Sequence, residues 1–257
     1  MIAVDVGNSS ISTGYFSGGG LVVQKIDTDL HMGADKYAAA VAYFMDSSSL
    51  EKERISCIIS SVVPSLTGAV EEGLAQIAGE EIPDIMRVDY RLHTGLKFDE
   101  VRPGELGTDR IASAVAASNI YSPPVAVVDF GTATTITVVD DDYYLIGGSI
   151  MPGVGLMNDM LEEGTARLKR ALPEAPPRAL GVSTDACIRT GLFFGTAGGV
   201  ERILAEIESE KGFALNVVIT GGYAPAIERL IKRPHFSNPH LTLQGLKMLH
   251  ETNRRKA

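Results

Sequence analysis

The sequence predicts an α/β protein made of two related halves with a cleft between them. Three observations carry that reading. Two acidic turns of one design follow short apolar runs, Val4-Asp5-Val6-Gly7-Asn8-Ser9-Ser10 and Val128-Asp129-Phe130-Gly131-Thr132-Ala133-Thr134, at an offset of 124 residues. Each turn opens a strand-like meander that gives way to helical and apolar segments, the pattern of a mixed sheet covered by helices. Between the halves, Ser122-Pro123-Pro124 interrupts a helical pattern, which sets the expected domains at 1–121 and 125–257.

Taken in order, residues 2–6, 11–16 and 21–26 read as short strands, with the Gly-rich 17–20 as a hairpin turn. Apolar residues recur at three- and four-residue steps over 36–45 and 65–77, which predicts helices, and the apolar run 55–63 between them predicts a buried strand. A helix follows at 109–121. In the second half, 125–129, 135–139 and 143–150 repeat the meander, with β-branched residues in the middle strand and Asp140-Asp141-Asp142 as the turn. Residues 184–209 have helical character, 217–220 read as a strand entering Gly221-Gly222, and 241–252 predict a closing helix. An ungapped overlay of the two turns also sets Ser10 on Thr134 and Thr13 on Thr137.

Bulk properties exclude several function classes. With 257 residues, 45% of them apolar, the chain can bury a sizeable core. A net charge of −9 disfavours nonspecific binding to nucleic acid or to an anionic membrane, and the tail Arg254-Arg255-Lys256 is too short to reverse that. Asp5 interrupts the first apolar stretch, and no apolar run approaches the roughly 18 residues of a spanning helix, so a cytoplasmic protein is expected. Cys57 and Cys187 stand alone, without His or Cys nearby, and are expected to be reduced, buried thiols rather than zinc ligands or a disulfide.

The chemistry points to phosphate. An apolar strand ending in Asp, then Gly, then small hydroxyl residues lets backbone N–H groups approach an anion, adds donors, and places a carboxylate for a cation. P-loop and GxGxxG sequences are absent, which leaves the paired turns, and more weakly Thr220-Gly221-Gly222, as the nucleotide signals. In Pro103-Gly104-Glu105-Leu106-Gly107-Thr108-Asp109-Arg110, Thr108 reads as a helix cap and Asp109 as a first-turn acid. An ionised Asp there can orient a substrate hydroxyl and take its proton late in phosphoryl transfer, while Arg110 offers a fork for an anion. An ordinary helix start with a solvated Arg fits the same residues.

Several ordered segments resemble the type III pantothenate kinases: DVGNSS at 5–10, SSVVPSLT at 60–67, GELGTDRIASAVAA at 104–117, DFGTATTITVVD at 129–140, GGSIMPG at 147–153, GVSTDACIRTG at 181–191, TGG at 220–222 and LTLQGL at 241–246. The resemblance implies duplicated actin-like (ribonuclease H-like) domains with a nucleotide cleft between them. It also implies ATP-dependent phosphorylation of the primary hydroxyl of pantothenate, the first step of coenzyme A synthesis, in a cytoplasmic homodimer. Implied cofactors are ATP with Mg²⁺ and a monovalent cation, K⁺ or NH₄⁺. Carried over by residue, Asp5, Val6, Gly7, Asn8, Ser9, Ser10, Ile11, Ser12 and Thr13 form the ATP phosphate site, with Asp5 near the magnesium and Thr132 a further ATP contact. Asp109 is the catalytic base; Gly107, Thr108, Arg110 and Thr184 join it at pantothenate; Asp129 holds the monovalent cation.

The sequence departs from the family pattern at Glu100, where a tyrosine facing the substrate is usual, and in 165–173 and 31–36. A carboxylate at 100 near an anionic substrate would repel it. Two other readings remain open on the residues: a non-catalytic kinase-fold regulator resembling a transcription accessory factor, and a kinase for a related small hydroxy acid.

Overall fold

The computed structural model describes residues 1–18, 20–47, 56–78, 84–99 and 101–254. Glu100, Gly19, Ile55, Arg255 and Lys256 lie outside them. The chain divides into two compact units: Met1–Gly95 with Arg102–Ala116 and Leu241–Ala257, and Leu96–Val101 with Ala117–His240.

In the first unit, β1 (Ile2–Val6) pairs antiparallel with β2 (Ser10–Ser17), which pairs antiparallel with β3 (Gly20–Asp27). On its other side β1 pairs parallel with β4 (Ser56–Ser61), and β4 with β5 (Asp84–Arg87). The apolar side chains of β1 are all buried, as expected of a strand covered on both faces. Helices α1 (Ala34–Ser47) and α2 (Pro64–Ala78) pack on each other, and Pro64 opens α2 where its missing N–H has no partner to lose. The core gathers Ile2, Val4, Val6, Ile11, Tyr37, Val41, Ile59, Leu66 and Leu74.

Helix α3 (Thr108–Ile120) begins in this unit, and the closing helix α7 (Leu241–Arg254) packs against β1 and β4. A linear division at residues 121 and 125 sets α7 with the second half, whereas its packing sets it with the first. The cause is a close approach: a Cβ on Gly245 would overlap the Ala112 carbonyl of α3, and the Thr242 hydroxyl lies 2.9 Å from that of Ser113.

The second unit repeats the topology strand for strand. Here β6 (Val125–Phe130), β7 (Ala133–Val139) and β8 (Leu145–Pro152) form the antiparallel meander, and β9 (Asn216–Thr220) with β10 (Phe236–Ser237) extend it in parallel. The sheet orders β3-β2-β1-β4-β5 and β8-β7-β6-β9-β10 are therefore equivalent. Helices α4 (Val154–Glu163), α5 (Thr184–Lys211) and α6 (Ala224–Ile227) complete the unit. Ser183 caps α5 by accepting from the Ala186 N–H at 3.2 Å, and Gly212 ends it in the left-handed conformation. Strands β5 and β10 and helices α4 and α6 are additional to the elements read from sequence.

Register corrects the ungapped overlay. Val6 faces Ile11 across the first turn, but Phe130 faces Thr134 across the second, so the second turn is one residue shorter. The closing bonds agree, from Gly7 N–H to the Ser10 carbonyl and from Gly131 N–H to the Ala133 carbonyl. Ser10 thus corresponds to Ala133, Ile11 to Thr134 and Thr13 to Ile136. The burial of the two strands then matches position by position through their first five residues.

The thiols divide. Cys57 is buried in the sheet, where desolvation pushes its pKa up to about 12. Cys187 is exposed in the first turns of α5, against the expectation of two buried thiols.

Candidate active site

In the first unit Asp5 sits one residue before the end of β1, partly buried, beside Ser12 of β2 and Ser60 of β4. The turn behind it is held from below. Thr28 donates its hydroxyl to the Gly7 carbonyl at 2.6 Å, and its N–H to the Ser9 carbonyl at 3.1 Å. Asn8 and Ser9 are exposed, and Gly7, Ser10 and Ser12 partly so. Val6 and Ile11 are fully buried in the core. Thr13 is buried too, its hydroxyl 3.1 Å from that of the buried Tyr37. The side chains that a ligand can reach are therefore those of residues 8–10, with Asp5 and Ser12; Val6, Ile11 and Thr13 shape the turn from the core.

Asp109 stands in the first turn of α3, and Gly107 rather than Thr108 is the cap: the Ile111 N–H donates to the Gly107 carbonyl. The Asp109 Oδ1 accepts from the Arg110 N–H at 2.8 Å. Burial raises the Asp109 carboxyl above the usual carboxylate range, more than the Arg110 N–H and guanidinium lower it. Burial also lowers the Arg110 pKa, with Asp109 opposing. Room for this carboxylate comes from Gly107, where an added Cβ would overlap the Asp109 Oδ1. The Thr108 hydroxyl turns toward β4, contacting Ser60 and Ser61. Because Ser60 is the neighbour of Asp5 in the sheet, Asp5 and the start of α3 lie at the same end of it.

In the second unit Asp129 occupies the place equivalent to Asp5, beside Thr135 of β7 and Thr220 of β9. Gly221 has φ +100, and a Cβ there would overlap Asp129 Oδ1 and crowd the Phe130 N–H. A Cβ on Gly131 would come within 3.3 Å of the same oxygen. The two glycines thus make the room that the Asp129 carboxylate occupies. Thr132 exposes its side chain while its carbonyl accepts from the Gly153 N–H at 3.0 Å. Thr184 is exposed at the first position of α5. Among the described residues no group of three His, Cys, Asp or Glu side chains converges as a metal cage, and no helix is long and apolar enough to cross a membrane.

Residues 1–206 match the family described as type III pantothenate kinase. The chain is 34% identical over 255 residues to the type III pantothenate kinase of Moorella thermoacetica, covering 98% of this chain and 99% of that one. The chain belongs to the type III pantothenate kinase family. Among solved structures it is similar to a Campylobacter jejuni protein designated a candidate Baf family transcriptional activator, at 18% identity, 99% and 100% coverage and a TM-score of 0.62. It is also similar to a ROK family glucokinase from Streptomyces griseus in complex with glucose and AMPPNP, at 14% identity, 99% coverage of both chains and a TM-score of 0.52. Those structures establish the duplicated actin-like fold.

Within this type III pantothenate kinase, sequence reasoning missed Thr28, Ser60 and Ser61 as supports of the two acids. Ser60-Ser61 stood inside a quoted motif, but nothing local marked it, because its partner Thr108 is 47 to 48 residues away. Thr28 follows the third strand of the meander and meets Gly7 only once the hairpins form.

Proposed function

We propose that this enzyme transfers the γ-phosphoryl group of ATP to the primary hydroxyl of pantothenate, giving 4'-phosphopantothenate, and that Asp109 is the base. The observation that carries the reading is a partly buried carboxylate in the first turn of α3, at the same sheet end as the Asp5 turn, in a chain of this family. The backbone and hydroxyl donors of residues 7–10 hold phosphate oxygens. Arg110 and the positive end of the α3 dipole offset the pantothenate carboxylate, with Gly107 and the Thr108 backbone on the same substrate. Asp109 hydrogen-bonds the substrate alcohol, orients it, and accepts its proton as the new P–O bond forms. A loose transition state needs no stronger base.

The donor sets fit the cations implied. Asp5 is a single, partly buried carboxylate, which suits Mg²⁺ carried by ATP phosphates rather than by an all-protein cage. Asp129, in the space that Gly131 and Gly221 leave, offers a hard oxygen to K⁺ or NH₄⁺. A divalent cation held by Asp5 would offset phosphate charge.

A homodimer in the cytoplasm completes the proposal. Supporting it, Ile150, Leu156, Met160, Leu180 and Val182 of the second unit are exposed apolar side chains. Along α5, Gly191, Gly195 and Gly198 face solvent with open space where a Cβ would stand. Each costs the helix about 1 kcal/mol relative to Ala, which close approach of a second chain would offset.

Purified protein with ATP, Mg²⁺, K⁺ and pantothenate, followed by coupling ADP release to NADH oxidation, tests the activity. Pantothenate-dependent ADP that disappears in Asp109→Asn is expected. Turnover only with another hydroxy acid would displace pantothenate.

A further inference from the structure

We propose that the Thr108 side chain is a positioning device and not a substrate contact: its hydroxyl, locked to Ser60 and Ser61, sets Asp109 at a fixed place relative to the Asp5 turn. The inference rests on Asp109 being the base.

A hydroxyl has one proton to give and two lone pairs to fill. Thr108 Oγ1 uses all three: it accepts from the Ser61 N–H at 3.1 Å, donates to the Ser61 carbonyl at 3.3 Å, and lies 3.0 Å from Ser60 Oγ. With its proton on the Ser61 carbonyl, it accepts from Ser60, so the Ser60 hydroxyl is the donor. No capacity is left for pantothenate. Ser60 is itself fully buried, so no solvent competes for its proton.

The partners of Thr108 are the two residues of β4 paired with the end of β1. Ser60 faces Asp5, Ser61 faces Val6, and the next N–H, of Val62, donates to the Val6 carbonyl at 3.0 Å. Each acid adjoins this junction directly: Asp5 is beside Ser60 across the ladder, and Asp109 follows Thr108 in the chain. The end of the sheet therefore indexes the base to the phosphate turn. In phosphoryl transfer that spacing decides whether the alcohol oxygen is in line with phosphorus, and an error near 1 Å costs on the order of 100-fold in rate.

The test is steady-state kinetics of Thr108→Val, Thr108→Ser, Ser60→Ala and the Ser60→Ala/Thr108→Val double variant, each checked for folding by thermal melt. Thr108→Val keeps the shape and removes the hydroxyl. It is expected to lower kcat by about 10- to 100-fold, while KM for pantothenate stays within about 2-fold. Ser60→Ala should lower the same parameter, and the double variant should be no worse than the poorer single variant, because both cut one path. Thr108→Ser should recover most of what Thr108→Val loses. A rise in KM for pantothenate at unchanged kcat in Thr108→Val would overturn the inference, as would losses that multiply in the double variant. Should Thr108→Val not fold, the kcat-against-KM split of Ser60→Ala carries the test alone. Asp109→Asn separates the two levels: activity surviving that change removes the base assignment, whereas its loss alongside an unimpaired Thr108→Val removes only the positioning role.

Discussion

Replacing Gly107 with alanine should cripple turnover without unfolding the protein. The added methyl would stand inside the van der Waals envelope of the Asp109 Oδ1, while the nearest atom of any other residue, Val62 Cγ1, is a comfortable 3.7 Å away. Only the carboxylate has to give, by about 1 Å, and a misplacement of that size costs about 100-fold in rate, or about 2.7 kcal/mol of transition-state stabilisation. Gly104→Ala is the matched control. It lies three residues upstream, exposed, and its added carbon would meet Tyr90 Cε1 at an ordinary 3.7 Å. The coupled ADP assay, with pantothenate and ATP each varied, reads the difference as a fall in kcat for Gly107→Ala and none for Gly104→Ala. Wild-type kcat in a folded Gly107→Ala protein would refute the argument that this glycine exists to seat the base.

Four further outcomes are expected. Because burial raises the Asp109 pKa, the acid limb of kcat/KM should lie at higher pH than an exposed aspartate would give; a limb in the ordinary carboxylate range would contradict it. The same shift means that ionising Asp109 lowers folding stability as pH rises through its native pKa. Asp109→Asn should therefore melt above wild type at neutral pH, with the gap closing as pH falls below that pKa. Thr134 holds the place of Ile11, buried, with no hydrogen-bond partner for its hydroxyl among the described residues, so Thr134→Val should raise the urea unfolding free energy by about 1 kcal/mol; a loss instead would show that the hydroxyl is satisfied. Glu at both Leu156 and Met160 should halve the mass measured by sedimentation if these exposed residues form the dimer contact, and an unchanged dimer would move the contact elsewhere.

Much of the fold is legible along the chain because its signals are local. Apolar runs carrying an Asp two residues before a Gly mark β1 and β6, glycine marks the β2–β3 hairpin, and helical spacing marks α1 and α2. Short β5 and β10 gave no such signal: four and two residues are too few for a period, and they exist because a neighbouring strand offers them a ladder. Helix α4 hid behind Gly153-Val154-Gly155, residues that weaken a helix reading yet allow the close approach to Thr132 and Tyr223. The ungapped overlay failed for a related reason: cross-strand pairing, not sequence, counts the residues in a turn.

Residue identity alone determined the duplication, the three acids and the family, since each depends on which side chains follow one another. Tertiary structure decided what those side chains can reach. Thr13 points to Tyr37, Thr108 to Ser60 and Ser61, and α7 to the sheet of the first unit, all through contacts spanning 24 residues or more in sequence. A hydroxyl has few bonds to give, and whichever partner the packed chain brings within hydrogen-bonding reach takes them.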